Sequence, residues 1–468
     1  MKIELVENIH DINTKDDPVR KNLSYRFRTT QGRKIYMIKN KAVVCVANAI
    51  DVPINIEELK KFPDNYFGSV VTDPPYGLSF MGKKWDYDVP SVELWKEVFR
   101  VLKEGGHLLA FAGTRTQHRM AVNIEDAGFE IRDMIAWVYG SGFPKSHNIG
   151  KAVDKLQGNE REILGEIRQR ANSVSSNIKM NASKEKTEKI TKGYSEWEGW
   201  GTALKPALEP ITMARKPFKT TVAENVLKNG VGGINIDGCR VETKENLNGG
   251  AFSNNREKST NKIYGEFDRI KEDFEQPAGR FPANFIHDGS DEVKDLFPNS
   301  KDGVAVKKNL DGRIYNKIQN WGHKAKKSDN IGYNSSGSAS RFFYCAKASK
   351  QDREEGLEDF EEKENIGALS DAGKNTLQDR RKGNPRKNTH PTVKPTDLMR
   401  YLVRLVTPKN EIVLDCFMGS GSTGKACALE GLSFVGIDLD KDYCKIAKAR
   451  IDKALEDKRI MDSQTKLF

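Results

Sequence analysis

Two short motifs, each directly after an apolar run, lie near opposite ends of this 468-residue chain. The sequence Asp-Pro-Pro-Tyr at 73–76 follows the run 70–72, and the sequence Asp-Cys-Phe-Met-Gly-Ser-Gly at 415–421 follows the run 412–414. Short apolar runs of this kind are typical of buried parallel strands. Because ligands bind an open α/β sheet at the carboxyl ends of its strands, we predict one sheet assembled from both ends of the chain, with the two motifs at its ligand-binding edge.

The sequence around both motifs alternates strand-like runs with amphipathic segments, which is the pattern of βαβ units. Before residue 150 the pattern predicts strands at 43–46, 69–72, 107–112 and 131–139, and helices at 56–61, 92–102 and 116–127. We expect Gly105 and Gly106 to end the second of these helices. After residue 391 it predicts helices at 396–406, 422–430 and 443–455, and strands at 412–415 and 434–438. The expected fold class is α/β, with a doubly wound, Rossmann-like sheet.

The regularity fails between these two parts. Polar stretches rich in Gly, Asn and Ser separate short apolar pieces at 210–214 and 281–286. We predict a large irregular insert with long loops, some of them ordered only on binding. The expected domains are a first half at 36–150, an inserted recognition region at 151–385 and a second half at 386–458.

The charge of the chain favours a polyanionic partner. The net charge is +11, and residues 301–350 hold eleven Lys or Arg against three Asp, with aromatic residues interleaved. Basic residues with aromatics are what phosphate neutralisation and base contact require. A solvated surface explains this stretch equally well.

Other features restrict the class of protein. The apolar runs fall far short of the ~20 residues of a spanning helix, and the N-terminus lacks the apolar core of a signal peptide, so we expect a cytoplasmic protein without a membrane partner. The six cysteines form no CxxC pair, and most lie in apolar runs. Free, mostly buried thiols are therefore expected, rather than disulfides or a metal site.

The second motif predicts a nucleotide-like cofactor site. Gly419 and Gly421 allow a tight turn into a helix whose N-terminal amides face a ligand, and Asp438 ends the next predicted strand, where it can accept two ribose hydroxyls. The same glycines match a dinucleotide pattern and nearly match a phosphate-binding loop. Ala426 lacks the hydroxyl that a phosphate loop needs for Mg²⁺, and Asp415 would repel a pyrophosphate. An acid there suits a cationic cofactor with an amino group, such as S-adenosylmethionine.

The first motif suits an exocyclic amine. The Asp73 carboxylate and the Pro74 carbonyl can accept its two N–H groups and favour the pyramidal, reactive geometry, while the two prolines make the turn rigid. The Tyr76 ring offers a face on which an extruded base can stack. Taken alone, a Pro-Pro turn with a capping Asp is also compatible with this motif.

In this order the motifs resemble those of the permuted, β-group amino DNA methyltransferases, and in particular bacterial and phage site-specific adenine-N6 modification methylases. The sequence His-Pro-Thr-Val-Lys-Pro at 390–395 is similar to that family's motif at the cofactor pocket, and the resemblance covers about 40–145 and 385–455. Two departures are Ala47-Asn48, where the family usually has Gly-Asp, and Cys416, which replaces a common proline. The site residues implied by the resemblance are catalytic Asp73, Pro74, Pro75 and Tyr76, and cofactor-binding Asn48, Thr392, Lys394, Asp415, Phe417, Gly419, Gly421 and Asp438.

The resemblance further implies S-adenosylmethionine as cofactor and double-stranded DNA as partner, in a bacterial or phage-infected cell. It is compatible with a homodimer and with a cognate restriction endonuclease. Asp at position 73 resembles adenine-N6 enzymes, whereas cytosine-N4 enzymes more often have Ser; cytosine-C5 chemistry is disfavoured because no cysteine follows a proline. The alternatives left open are a cytosine-N4 enzyme, an RNA or protein amine methyltransferase, a nicotinamide oxidoreductase, and a fused nuclease using Asp237, Glu242 and Lys244.

Overall fold

The computed structural model describes 4–6, 35–38, 41–44, 54–78, 88–142, 146–168, 187–243, 245, 247, 277–301, 336–346, 350–366 and 382–465. Asn48 and most of the basic stretch at 301–350 lie outside the described residues, so the roles expected for them stay predictions.

The elements follow in chain order. The strands are β1 (Glu4–Val6), β2 (Ile35–Ile38), β3 (Lys41–Val44), β4 (Phe67–Thr72), β5 (Leu102–Phe111), β6 (Glu130–Val138), β7 (Glu162–Arg168), β8 (Thr187–Lys192), β9 (Leu208–Arg215), β10 (Val241–Glu242), β11 (Gly279–Arg280), β12 (Phe285–His287), β13 (Asn299–Lys301), β14 (Ser336–Ser338), β15 (Tyr344–Cys345), β16 (Lys363–Ile366), β17 (Lys382–Arg386), β18 (Ile412–Asp415) and β19 (Ser433–Gly436). The helices are α1 (Ile54–Leu59), α2 (Val92–Val101), α3 (Gln117–Asp126), α4 (Ile149–Gln157), α5 (Val222–Asn229), α6 (Asp291–Lys294), α7 (Lys350–Glu354), α8 (Thr396–Val406), α9 (Ser422–Glu430) and α10 (Lys441–Thr465).

An eight-stranded sheet forms the centre of the larger compact unit, in the order β15-β12-β6-β9-β5-β4-β18-β19. Strands β4 and β18 come from opposite ends of the chain and pair in parallel, with Val413 opposite Ser69 and Leu414 opposite Val70. Strand β9 runs antiparallel between β5 and β6, whereas the other pairs of this sheet are parallel. The α/β class and a sheet assembled from both parts of the chain are confirmed.

Helices cover both faces of this sheet. Alternate residues of a strand point to opposite faces, so Leu109 and Phe111 of β5 pack in the core that α8, α9 and α10 share, while Leu108 and Ala110 pack in the core of α2 and α3. Both faces of β4 are buried along its whole length. This double cover explains why the runs before the two motifs are apolar without alternation.

The role predicted for Gly105 and Gly106 is wrong. Gly105 and Gly106 lie within β5 and do not end α2, which stops earlier, at Val101. Gly105 has a φ of +81° and donates its N–H to the Lys216 carbonyl at 2.9 Å. A Cβ at this position would collide with the Asn225 side chain of α5. The glycine therefore allows α5 to pack closely against β5, and the local sequence pattern does not indicate this contact.

Three strands of the sheet, β9, β12 and β15, fall within the range predicted as an irregular insert. The apolar piece 210–214 forms most of β9. The described residues form two compact units, one containing residues up to Tyr139 and from Leu208 onward, the other Gly140–Ala207. The domain boundaries and the recognition role of 151–385 stay predictions.

The smaller unit contains α4 and the antiparallel strand pair β7 and β8. Within it, Arg161 bridges the buried Asp154 and the Glu198 carboxylate, and Trp197 and Trp200 meet edge to face with ring centroids 5.3 Å apart. Of the cysteines that the structure describes, all but Cys345 are buried, as predicted. In the described part of the chain, no helix has the length and apolar character needed to cross a membrane.

Candidate active site

The two motifs meet at one edge of the sheet. Asp73 directly follows β4, Asp415 is the last residue of β18, and the two strands are neighbours. Thr72, the last residue of β4, donates from Oγ1 to Asp415 Oδ1 at 2.6 Å. The structure therefore brings the predicted catalytic turn and the predicted cofactor turn together, as expected from the sequence.

Asp415 stabilises this junction through contacts within the protein. Its Oδ2 accepts from Thr423 Oγ1 at 2.6 Å, and its Oδ1 accepts from the Phe417 amide at 3.1 Å in addition to Thr72. The side chain is 2% exposed, and burial raises its pKa to about 6 even though these three donors act in the opposite direction. The carboxylate thus joins the end of β4 to the turn between β18 and α9, and its predicted contact with a cofactor stays a prediction.

The glycine turn is packed too closely for any side chain. Gly419 and Gly421 have φ values of +52° and +78°. A Cβ on Gly421 would lie 2.7 Å from the Ala447 Cβ of α10, and a Cβ on Gly419 would lie 2.6 Å from His390 Nε2. Both residues are buried at the start of α9. The packing against α10 and against His390 therefore requires glycine at both positions.

Asp438 lies two residues beyond β19 and is partly exposed. Its Oδ2 accepts from the Gly419 amide at 2.7 Å and its Oδ1 from the Asp440 amide at 2.8 Å. Burial raises its pKa to about 6, and the nearby Asp440 adds to this rise. The amides of Asp440, Gly419 and Leu439 act in the opposite direction and lower this pKa. Phe417 is partly buried beside this turn.

The segment 390–395 contacts both turns. His390 accepts from the Thr392 amide on Nδ1 at 3.3 Å, and its ring meets Tyr443 edge to face at 4.6 Å. Burial, followed by the charges of Lys394, Arg353 and Arg450, lowers the pKa of His390 to about 3, so the ring is neutral at physiological pH. The Thr392 side chain is exposed.

Lys394 lies at the catalytic turn. Its Nζ donates to Asp73 Oδ2 at 2.6 Å, lies 3.2 Å from Glu209 Oε2 and contacts the Tyr76 hydroxyl at 3.2 Å. The side chain is 7% exposed and the ammonium lies 4.9 Å from the Phe111 ring centre. Burial disfavours the charge, but Asp73 and Glu209 outweigh it and hold the pKa of Lys394 above its usual value. Its predicted role in closing the cofactor pocket stays a prediction.

Tyr76 completes this cluster. Its hydroxyl lies 2.7 Å from Asp73 Oδ1 and 3.0 Å from Glu209 Oε2, so it can donate to either carboxylate. Burial and then the two carboxylates raise its pKa well above the usual range, so the phenol stays protonated. The Tyr76 carbonyl accepts from Thr116 Oγ1 at 2.6 Å, and the buried Pro74 precedes it in the turn. The turn is therefore fixed from both the side-chain and the backbone side.

Glu209 is the site residue that the sequence analysis missed. It lies near the start of β9, opposite Trp137 of β6, and the next residue, Pro210, accepts from the Ala112 amide at 3.0 Å. Because β9 is antiparallel to its neighbours, its first residues lie at the edge where β4, β5 and β6 end. Its sequence signals were an acid at the head of an apolar run and its place in the stretch 204–210, which is similar to a stretch of modification methylases.

Two alternative functions lose support from the geometry. Lys425, the lysine of the near phosphate loop, is 5% exposed and pairs with Asp352 and Glu355, each at 2.7 Å. Asp237, proposed for a nuclease, is 87% exposed and pairs with Arg240. Lys425 thus has carboxylate partners in place of phosphate, and Asp237 lies open to solvent with a basic partner.

Comparison with known proteins gives a family. A family model described as DNA methylase, of the N6 and N4 type, matches residues 68–449. The type II methyltransferase M.HindIII of Haemophilus influenzae is 32% identical over 31% of this chain and 38% of its own length. The DNA adenine methyltransferase YhdJ of Escherichia coli is 37% identical over 14% of this chain and 22% of its own length. The chain thus aligns with less than two fifths of the length of either relative.

Two solved structures are similar at low identity. The complex of M1.HpyAVI with S-adenosylmethionine aligns with 87% of this chain and 100% of its own, at 15% identity and a TM-score of 0.33. The cytosine-N4-specific PvuII DNA methyltransferase aligns with 87% of this chain and 85% of its own, at 12% identity and a TM-score of 0.35.

Proposed function

This chain belongs to the DNA methylase family of N6 and N4 enzymes, and we propose that it is an S-adenosylmethionine-dependent, site-specific DNA methyltransferase acting on adenine N6. The observation that carries the proposal is the adjacency of the Asp73 turn and the glycine turn at the ends of two paired strands. An amine acceptor and a methyl donor must meet within bonding reach, and this edge holds groups suited to each.

The residues around the glycine turn fit the proposed cofactor. The turn leaves no room for a Cβ at Gly419 or Gly421, and the partly exposed Asp438 carboxylate lies beside it. Carboxylates suit a ligand that carries an ammonium and a sulfonium, and they accept ribose hydroxyls. Phe417, Gly419, Gly421, Asp438 and Thr392 would hold the cofactor, and the buried Asp415 would fix the turn that presents them.

Bound S-adenosylmethionine would supply an electrophilic methyl group: the S–CH₃ bond would break as the N–CH₃ bond forms, S-adenosylhomocysteine would leave, and the methylated amine would release one proton to solvent. The protein contributes position and electrostatics. Asp73 and the Pro74 carbonyl accept the two N–H groups of the target amine, which directs its lone pair toward the methyl group. Tyr76, fixed by its contacts to Asp73 and Thr116, offers its ring to the flipped base.

Adenine is favoured over cytosine by Asp at position 73, as the resemblance implies. YhdJ, described as a DNA adenine methyltransferase, is one of the relatives. DNA as the partner, its recognition by residues within 151–385, a homodimer and a cognate endonuclease belong to the same proposal, as does a cytoplasmic location.

The test is to incubate the purified protein with S-adenosylmethionine and unmethylated genomic DNA, digest the DNA to nucleosides and identify methylated bases by mass spectrometry. Asp73→Ala is the test variant, and Asp64→Ala is a matched control because Asp64 is 69% exposed and pairs with Arg100 away from the site. We expect N6-methyladenine from the wild type and from the control, and none from Asp73→Ala.

N4-methylcytosine in place of N6-methyladenine would keep the mechanism and refute the adenine assignment. Activity in Asp73→Ala equal to that of the wild type would refute the catalytic assignment. If no DNA base is methylated, either that DNA lacks the recognised site or the substrate is not DNA, and the same assay is then run on RNA.

A further inference from the structure

We propose that Glu209 is a positioning residue that holds the Lys394 ammonium while Asp73 turns to the target amine. The inference rests on the proposed function, because it concerns how the amine acceptor becomes available. It adds a residue from a strand that carries neither of the two motifs.

The buried ammonium lies between two carboxylates that are far apart in the chain. Lys394 Nζ lies 2.6 Å from Asp73 Oδ2 and 3.2 Å from Glu209 Oε2. The Tyr76 hydroxyl also bridges these two acids, at 2.7 Å and 3.0 Å. One cation and one phenol are therefore shared by a pair of carboxylates.

In this arrangement the Lys394 ammonium competes with the target amine for Asp73. The shorter contact of Lys394 is to Asp73, the group that has to accept an N–H from the target base. A strongly bound ammonium withdraws charge from that carboxylate and occupies its accepting side. A buried ammonium cannot simply be released, because an unpaired charge away from water is strongly unfavourable. Lys394 is 7% exposed, so this restriction applies to it.

Glu209 offers the ammonium a second partner. A small movement of Nζ toward Glu209 would free Asp73 Oδ2 and keep the charge paired. Glu209 is well placed for this, because its backbone lies in the sheet opposite Trp137 and its side chain is only 20% exposed. The Tyr76 hydroxyl can shift its hydrogen bond in the same way, because it can donate to either carboxylate.

The experiment compares Glu209→Gln and Glu209→Asp with the wild type and with Glu130→Gln. Glu130 is a matched control, because it is a partly exposed acid at the other end of the β6–β9 pairing, where it pairs with Arg215. Three quantities are measured for each protein: the single-turnover rate of methyl transfer to DNA, the Kd for S-adenosylmethionine by calorimetry, and the thermal unfolding midpoint.

For Glu209→Gln we expect a rate at least about 30-fold lower, the smaller effect known for losing one partner of a buried charge pair, with an unchanged Kd for the cofactor. Glu209→Asp, which keeps the charge, should recover part of the rate. Glu130→Gln should match the wild type. A purely structural role would lower the unfolding midpoint and weaken cofactor binding together, and the charge-preserving variant would not restore the rate.

A wild-type rate in Glu209→Gln would overturn the inference and leave the proposed function intact. Weakened cofactor binding in parallel with the lost rate would also overturn it, because Glu209 would then help to build the cofactor site. A wild-type protein that methylates no DNA would instead overturn the proposed function, and the inference with it.

Discussion

Replacing Thr72 by Val should destabilise the protein by an amount that depends on pH. Thr72 Oγ1 donates a 2.6 Å hydrogen bond to Asp415 Oδ1, and Asp415 is 2% exposed. Valine has nearly the shape of threonine but no donor. The variant therefore removes one hydrogen bond from a carboxylate that water does not reach, with little change in packing.

The magnitude follows from the ionisation of Asp415. Burial raises its pKa from 3.8 to about 6, so the carboxyl is mostly protonated near pH 5 and ionised near pH 8. Losing a hydrogen bond to a neutral partner costs about 0.5–1.5 kcal/mol, whereas one to a charged partner costs about 1.5–3 kcal/mol. The effect of the variant should therefore roughly double between pH 5 and pH 8.

The direction in which folding stability should change with pH follows from the shifted pKa of Asp415. A carboxyl whose pKa is raised on folding destabilises the folded state as the pH rises through the interval from the unfolded to the folded value, here from 3.8 to about 6. Thr72 is one of the groups that lower this pKa, so its loss raises the pKa of Asp415 further. The additional penalty appears on the alkaline side.

Urea unfolding followed by circular dichroism at pH 5 and pH 8 measures this difference. Ser69→Ala is the control, because Ser69 Oγ shares a buried 2.7 Å hydrogen bond with Thr407 Oγ1 and neither partner ionises in this range. The control should lose the same stability at both pH values. If Thr72→Val also behaves in this way, the carboxylate does not change its ionisation and the reasoning fails.

Three further predictions concern the cofactor turn and the DNA surface. Gly421→Ala should lower the thermal midpoint more than Gly431→Ala, because both glycines have positive φ values but only at Gly421 would the new Cβ press on Ala447; equal losses would show that the collision is relieved. Asp438→Ala should weaken S-adenosylmethionine binding about 10-fold or more, since bonds to a charged group contribute about 1.5–3 kcal/mol, and an unchanged Kd in calorimetry would contradict the ribose role. Neutralising the lysines among residues 324–327 should reduce the slope of log K for DNA binding against log salt concentration, and an unaltered slope would move the DNA surface elsewhere.

The sequence predicted best what is encoded locally. The strand at 412–415 and the helices at 396–406 and 422–430 match β18, α8 and α9. Their apolar runs, the glycine turn and the absence of prolines inside them leave few other conformations. The placement of both motifs at strand ends follows from the same local pattern, and the rule for parallel sheets then brings them together.

What the sequence missed depends on pairing between distant segments. The piece 210–214 is a short apolar run in irregular surroundings, and its pairing with β5 and β6, which makes it a central strand, depends on segments far away in the chain. Glu209 was missed for the same reason, because site acids are expected after parallel strands, whereas an antiparallel strand brings its beginning to that edge. Gly105 likewise depends on a contact with Asn225 of another element.

The pairing of β4 with β18 also has a consequence for synthesis. Thr72 and its partner Asp415 are 343 residues apart, and a ribosome adding about 5–20 residues per second needs roughly 20–70 s to cover that distance. During this interval β4 has one edge without its final neighbour, and an exposed apolar strand edge can pair with another chain. Translation speed and chaperone supply should therefore govern the yield of folded protein. A chain released before β18 is made would lack the glycine turn, so it could not bring the target amine and the methyl donor together.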